Sequence, residues 1–135
     1  MAPSSPWQKA IPLLRDNGSI VLIGSNTHDG GNSRLSAYAA SKAAVRSFAR
    51  TWADDLKGRN IRVNNISPGP IDTPIIDVTL GGGAAQRRAE YRSVVPLGRM
   101  GRPEEIASVA LFLACDESSF MTGCDLVVDG GMSQL

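Results

Sequence analysis

Cysteine, aromatic residues, histidine and long apolar runs are all scarce in this chain. Its 135 residues include 2 Cys, 2 Trp, 2 Tyr, 3 Phe and 1 His. Cys115 and Cys124 stand singly, without C-x-x-C spacing, which argues against a disulfide-stapled secreted domain and for two reduced thiols in a cytoplasmic protein. The longest apolar runs, Ile20 to Ile23 and Val109 to Cys115, fall well short of the roughly 20 residues that cross a bilayer. The opening MAPSSPWQKA has no signal-peptide core. Charge of one sign is also missing as a block: 14 basic and 13 acidic residues are scattered along the chain for a net +1. Nucleic acid and membrane are therefore not expected as partners. His28, the single histidine, has no company of Cys, Asp or Glu at ligand spacing, so no metal site is expected and His28 reads as an exposed loop residue.

What is present is a soluble globular composition, 42% hydrophobic and 20% charged, at a length that suits one domain. MAPSSP, residues 1 to 6, reads as a disordered or non-native start, leaving residues 7 to 135 as the folded part. Trp7 to Arg15 reads as the last turns of a helix, with Pro12 near a start or kink, and Gly18 in DNG suits a left-handed cap. SIVLIGS, residues 19 to 25, is continuously apolar, the pattern of a strand covered on both faces and hence parallel.

After the polar NTHDGGNSRL comes a helix from about Ser36 to Lys57. Its buried face is expected at Ala37, Ala40, Ala44, Val45, Phe48, Trp52 and Leu56, with Gly58 as its cap. IRVNNIS, residues 61 to 67, is a second strand. PGPIDTP, residues 68 to 74, reads as neither helix nor central strand because of its three prolines. Residues 75 to 95 carry less pattern, and Gly81 to Gly83 suggest a joint. RPEEIASVALFLACD, residues 102 to 116, is a helix with Pro103 in its first turn and Glu104 and Glu105 favouring its dipole. Asp116, Glu117 and Ser118 read as its solvated end. DLVVDGG, residues 125 to 131, is a third strand closed by a glycine turn, where Asp129 is expected to serve structure rather than catalysis. Trp7 and Trp52 read as packing residues. Strand, helix, strand, helix, strand means βαβ units, a parallel sheet and helices on both faces.

Within SAYAASKAAV, Tyr38 and Lys42 are four residues apart and so share one side of the helix. A phenol works as a general acid or base only when made more acidic than usual, and a neighbouring ammonium does that by favouring the phenolate. Ser25 stands at the carboxyl end of the preceding strand and Pro68-Gly69 at the end of the next. In a doubly wound sheet those ends border one crevice.

GSIVLIGS, SAYAASKAAV, IRVNNISPGPIDTP, PLGRMGRPEEIASVALFLACD and TGCDLVVDGG, in this order, resemble the short-chain dehydrogenase/reductase family over nearly the whole chain. The resemblance implies an α/β, parallel-sheet, Rossmann-like doubly wound fold. It also implies an oxidoreductase passing hydride between NAD or NADP and a small carbonyl/alcohol substrate. Ser25 would orient the substrate oxygen, Tyr38 would give or take the proton there, and Lys42 would favour the phenolate and bond the nicotinamide ribose. Pro68 and Gly69 would shape the backbone at the nicotinamide, with the Ile71 amide and Thr73 hydroxyl on its carboxamide. Residues 75 to 95 would form the substrate loop.

No T-G-x-x-x-G-x-G turn or N-N-A-G stretch stands in these residues, and the family's helix asparagine would fall before Trp7. The resemblance is therefore to the C-terminal half of such an enzyme, three strands with flanking helices that meet the nicotinamide end of the cofactor. Weak or absent activity is expected of the isolated chain, and homo-oligomers are expected because its first strand would leave an apolar edge. The rival reading is a non-catalytic truncated remnant or self-associating assembly module.

Overall fold

A computed structural model describes residues 9–28 and 33–135. The expected start at residues 1–6, and Trp7, lie outside the described residues. Three strands, β1 (Ser19–Ile23), β2 (Arg62–Pro68) and β3 (Asp125–Val128), form one parallel sheet in the order β1-β2-β3. Ile20 pairs with Val63 and Leu22 with Asn65, which pairs in turn with Asp125. The parallel α/β arrangement expected from the apolar runs is the one observed.

Two long helices cover the two faces. Helix α1 (Ser36–Leu56) buries Ala49, Ala53 and Leu56 against Val63, with Ile20, Leu22 and Trp52 packed around them. This face is rotated from the one expected: Ala37, Ala40, Ala44 and Phe48 are exposed. Alanine carries too little apolar area to decide which way a helix turns. Short α2 (Ile75–Leu80) and α3 (Ala84–Val94) follow β2, joined by a 3-10 turn at Gly81–Gly83. The segment expected to lack pattern is thus mostly helical.

Helix α4 (Pro103–Ala114) lies on the opposite face. The side chains of Ser19 and Arg62, neighbours in register, both reach its last carbonyls there. Arg62 donates to the carbonyls of Leu113 and Cys115, at 3.0 Å each, and to Ser118 Oγ at 2.8 Å. It thereby satisfies acceptors that a helix C-terminus leaves open. Asp116 and Glu117 are exposed, as expected of this helix end, but Ser118 is 1% exposed and makes a buried polar joint there.

Smaller departures have local causes. The expected helix end is present at Lys9 and Ala10 and tightens into a 3-10 turn at Ile11–Leu13, with Pro12 inside it. Left-handed backbone falls on Asn17 (φ 62°) and Asn60 (φ 53°), not on the neighbouring Gly18 or Gly58. The two asparagines bond each other through their side chains at 2.8 Å, and this pairing offsets the cost of that conformation. Pro68 does belong to the central strand, as its last residue. A proline lacks the N–H that would bond β1, but β1 ends opposite Ile66, so no ladder bond is lost.

Helix α4 begins on a carboxylate clamp. Glu105 accepts from the Arg102 amide at 2.7 Å and takes both terminal nitrogens of Arg99, at 2.7 and 2.9 Å. The Arg99 hydrogen bond foremost, then the Arg102 amide, hold its carboxyl at about 2, against an ordinary 4.5. A depressed carboxylate stabilises above its ordinary value and loses that contribution as the folded form is protonated. The Tm of the native chain should therefore exceed that of Glu105→Gln by a constant margin at neutral pH. Differential scanning calorimetry should show that margin shrinking between about pH 4.5 and about pH 2.

Candidate active site

The carboxyl ends of β1 and β2 border a cleft of about 700 Å³. β1 stops at Ile23 because Gly24 lies against β2: a Cβ there would stand 2.6 Å from Asn65 Nδ2. The chain then turns through Asn26–His28 and leaves Ser25 facing the cleft, 7% exposed. Ser25 Oγ accepts from the Thr27 hydroxyl at 2.9 Å and the Thr27 amide at 3.3 Å. With both donors on its lone pairs, the serine keeps its own proton for a ligand oxygen.

Tyr38, in the first turn of α1, reaches the same cleft and is 46% exposed. Lys42, one turn later, donates to the carbonyl of Ile23 at 3.1 Å and stands 5.7 Å from the centre of the Tyr38 ring. The ammonium is thus tied to the end of β1 while facing the phenol ring.

Gly69, Ile71 and Thr73 also line the cleft, whereas Pro68 closes β2 and is not among its lining residues. Gly69 is required by close packing, since a Cβ there would lie 2.5 Å from that of Asp129. Ile71 forms a lone parallel bridge with Gly101. Its two bonds use the Pro70 carbonyl and the Asp72 amide, at 2.9 Å each. In a parallel bridge the central residue's own amide and carbonyl point away from the partner segment, so neither is used in this one. Leu35, Ile75, Ile76, Tyr91 and Met100 complete a largely apolar wall.

Some contacts that build the cleft had no clear signal in the sequence. Asp129, 8% exposed, accepts from Asn26 Nδ2, the Gly131 amide, and the amide and hydroxyl of Ser133. Burial works against its charge, yet the bonds from Ser133, Asn26 and Gly131 hold the carboxyl below its ordinary value. It fastens the residue after Ser25 to a C-terminal turn whose Met132 and Ser133 line the cleft. The D-G-G turn was a cue for this; Asn26, a hundred residues away, was not.

His28 departs most from expectation. It is buried, with its ring between the Ser25 carbonyl and Asp125. Among the described residues no cluster of His, Cys, Asp or Glu could hold a metal ion. No helix among them is long and apolar enough to cross a membrane.

The chain is similar to known proteins in sequence and in fold. A family model described as enoyl-(acyl carrier protein) reductase matches residues 4–133. "Oxidoreductase asL5" of Sarocladium schorii is 45% identical over 130 residues, covering 95% of this chain and 51% of that protein. The 3-oxoacyl-[acyl-carrier-protein] reductase FabG of Thermotoga maritima is 46% identical over 127 residues, covering 93% and 50%. A short-chain dehydrogenase/reductase structure from Brucella melitensis, titled glucose/ribitol dehydrogenase, aligns with a TM-score of 0.85 at 36% identity. That alignment covers 96% of this chain and 51% of the other. The chain belongs to the short-chain dehydrogenase/reductase family. It spans about half the length of the curated relatives it matches.

The contact between Gly69 and Asp129 yields a test. Gly69→Ala should cost about 1–3 kcal/mol, because a methyl group must displace the Asp129 backbone. Gly58→Ala, with nothing within 4 Å of the new methyl, should stay within about 0.5 kcal/mol of the native chain. Urea unfolding of both variants checks the contrast.

Proposed function

We propose that this chain is the catalytic C-terminal portion of an NAD(P)-dependent oxidoreductase acting on a carbonyl/alcohol pair. Residues 7–135 would then form a partial cofactor-binding domain. The observation that carries this reading is the convergence of Ser25 and Tyr38 on one cleft, with the Lys42 ammonium 5.7 Å from the phenol ring.

The residues present fit the nicotinamide end of such a cofactor. Ile71 lines the cleft, its own amide and carbonyl lying outside its bridge to Gly101 and able to meet a carboxamide's acceptor and donor, and Thr73 adds a hydroxyl. Lys42 spends one proton on the Ile23 carbonyl and keeps two for ribose hydroxyls. Hydride exchange with the substrate carbon is the chemistry such a cofactor supplies when bound.

The chain's own residues would do the rest. Ser25, its lone pairs held by Thr27, donates to the substrate oxygen and fixes it beside the phenol. Tyr38 gives that oxygen a proton during reduction and takes it back during oxidation. Lys42 stabilises the phenolate left behind by its positive charge. The wall of Leu35, Ile76, Tyr91 and Met100 suits an apolar group on a small substrate.

Two unpaired cysteines accord with a cytoplasmic setting. Weak activity is proposed for this chain alone. β1 is an edge of the described sheet, paired only with β2. That edge, with exposed Phe48 on α1, supports self-association as a homo-oligomer. The same edge sustains the second reading, an assembly module without catalysis.

Isothermal titration of the purified chain with NADH and with NADPH separates the two readings. Saturable binding of either, weakened at least about tenfold (1.4 kcal/mol) by Lys42→Ala, supports the oxidoreductase. Absence of binding to both leaves the assembly module, and light scattering then reads its oligomeric state.

A further inference from the structure

Asp129 is not among the residues that line the cleft, yet three segments of the cleft wall meet at it. It follows β3 directly and is 8% exposed. From its own turn, Oδ1 accepts from the Gly131 amide at 2.9 Å. Oδ2 accepts from the Ser133 amide at 2.8 Å and the Ser133 hydroxyl at 2.6 Å. Bonds this local form wherever an aspartate opens a turn. The fourth is of another kind: Asn26 Nδ2 donates to Oδ2 at 3.2 Å from a position 103 residues away.

Backbone packing fixes where the carboxylate stands. On one side Gly69 lies so close that a Cβ there would stand 2.5 Å from that of Asp129. On the other, Gly130 and Gly131 take left-handed backbone, φ 68° and 90°, and the Gly130 carbonyl accepts from the Leu97 amide at 3.2 Å. The chain thus curls back after Asp129 and brings Met132 and Ser133 into the cleft wall. The carboxylate stands on a frame built from the ends of β2 and β3 and the segment after α3.

The loop that carries Ser25 lies beyond the ladder, since β1 ends at Ile23. Thr27 donates to Ser25 Oγ, which ties the turn to itself. His28 seats the far end of that turn beside Asp125. Asn26, next to the serine, seats the near end on Asp129. A carboxylate suits this place because the groups converging on it are all donors. An amide of the same shape would set its NH₂ against one of those donors whichever way it faced.

We propose that Asp129 is a positioning residue for Ser25. Through Asn26 it refers the serine's loop to the same carboxylate that seats Met132 and Ser133. The group that meets the substrate oxygen and the wall that meets the rest of the substrate then share one fixed point. The inference rests on the reading that Ser25 meets the substrate oxygen; its test observes the serine itself and needs no cofactor.

Two substitutions break this junction from opposite ends. Asp129→Asn removes the carboxylate, whereas Asn26→Ala removes the distant donor and leaves the three local bonds. Three-bond NMR couplings of the isotope-labelled chain report whether Ser25 keeps one staggered χ1 rotamer. The native serine should hold one rotamer, and in both variants it should average over several. In Asn26→Ala the Ser133 amide should also exchange with solvent at least about tenfold faster, the size of one lost charge-assisted bond. A purely stabilising role for Asp129 would instead lower the urea midpoint and leave the serine's rotamer native.

A single native rotamer of Ser25 in Asn26→Ala overturns the proposal, and so does a native exchange rate at Ser133 in that variant. Rotamer averaging of Ser25 in the native chain overturns it as well. Asn26→Ala decides the matter even if Asp129→Asn does not fold. A failure to bind NADH or NADPH leaves these results untouched and sinks the oxidoreductase reading alone.

Discussion

The whole site depends on a row of polar side chains that β2 carries into the interior. Asn64, Asn65 and Ser67 are fully buried. A buried polar group left without a partner costs about 1–3 kcal/mol, and of these side chains' polar atoms only Asn65 Oδ1 lacks a hydrogen bond among the described residues. Asn64 spans the Met121 carbonyl and the Cys124 amide, at 2.9 and 3.1 Å. Asn65 and Ser67 both donate to Asp125. Together these bonds set the register of β3 against β2 and bring Asp129 to the turn at Gly69. An apolar row would tolerate a slide of one strand past the other; this one does not.

Charged side chains then fasten the irregular segments to that frame. Arg62 closes the end of α4. Arg59 reaches Asp16 and the carbonyls of Ile11 and Leu14, fixing the segment before β1. Arg88 of α3 takes Asp77 through two bonds of 2.7 Å and Asp72 through one of 2.8 Å. That fork joins α2, α3 and the loop after β2, the elements that supply Ile76, Tyr91 and Thr73 to the cleft. The Arg88 hydrogen bond is the leading reason that the Asp77 carboxyl lies below its ordinary value. Exposed pairs of this kind add little stability. Their geometric effect is larger, because one planar guanidinium fixes three backbone segments at once.

What the sequence reveals divides along the distance over which its signals act. β1 and β3 are legible because IVLI and LVV are unbroken apolar runs, while β2 shows only Ile61, Val63 and Ile66 between polar residues. The start of α4 is legible because Pro103, Glu104 and Glu105 obey local end rules. The Tyr38–Lys42 pair is legible because helical spacing alone brings it together. The buried face of α1 is not, since alanines at 37, 40 and 44 differ only in environment from those at 49 and 53. Nor is the burial of His28, whose partner Asp125 lies almost a whole chain away. A lone histidine in a polar loop looks exposed until tertiary pairing is known.

The exposed start of α1 holds Tyr38 and Lys42 at a surface. Its buried residues, Ala49, Ala53 and Leu56, all lie in its C-terminal half. Lys42 is seven residues before Ala49, about 10 Å along the axis at 1.5 Å per residue. Over that distance packing does little to fix the helix, and stiffness alone would let its tip swing. The Arg46–Asp125 pair holds α1 one turn further on, and the bond from Lys42 to the Ile23 carbonyl adds an attachment one turn from Tyr38. A single ammonium therefore both pins the helix tip to β1 and sets its charge beside the phenol ring. Arginine could form the bond but would spread its charge over a larger planar group, and glutamine could form it with no charge at all. The attachment is thus open to other donors, and what lysine alone brings to this position is a compact charge.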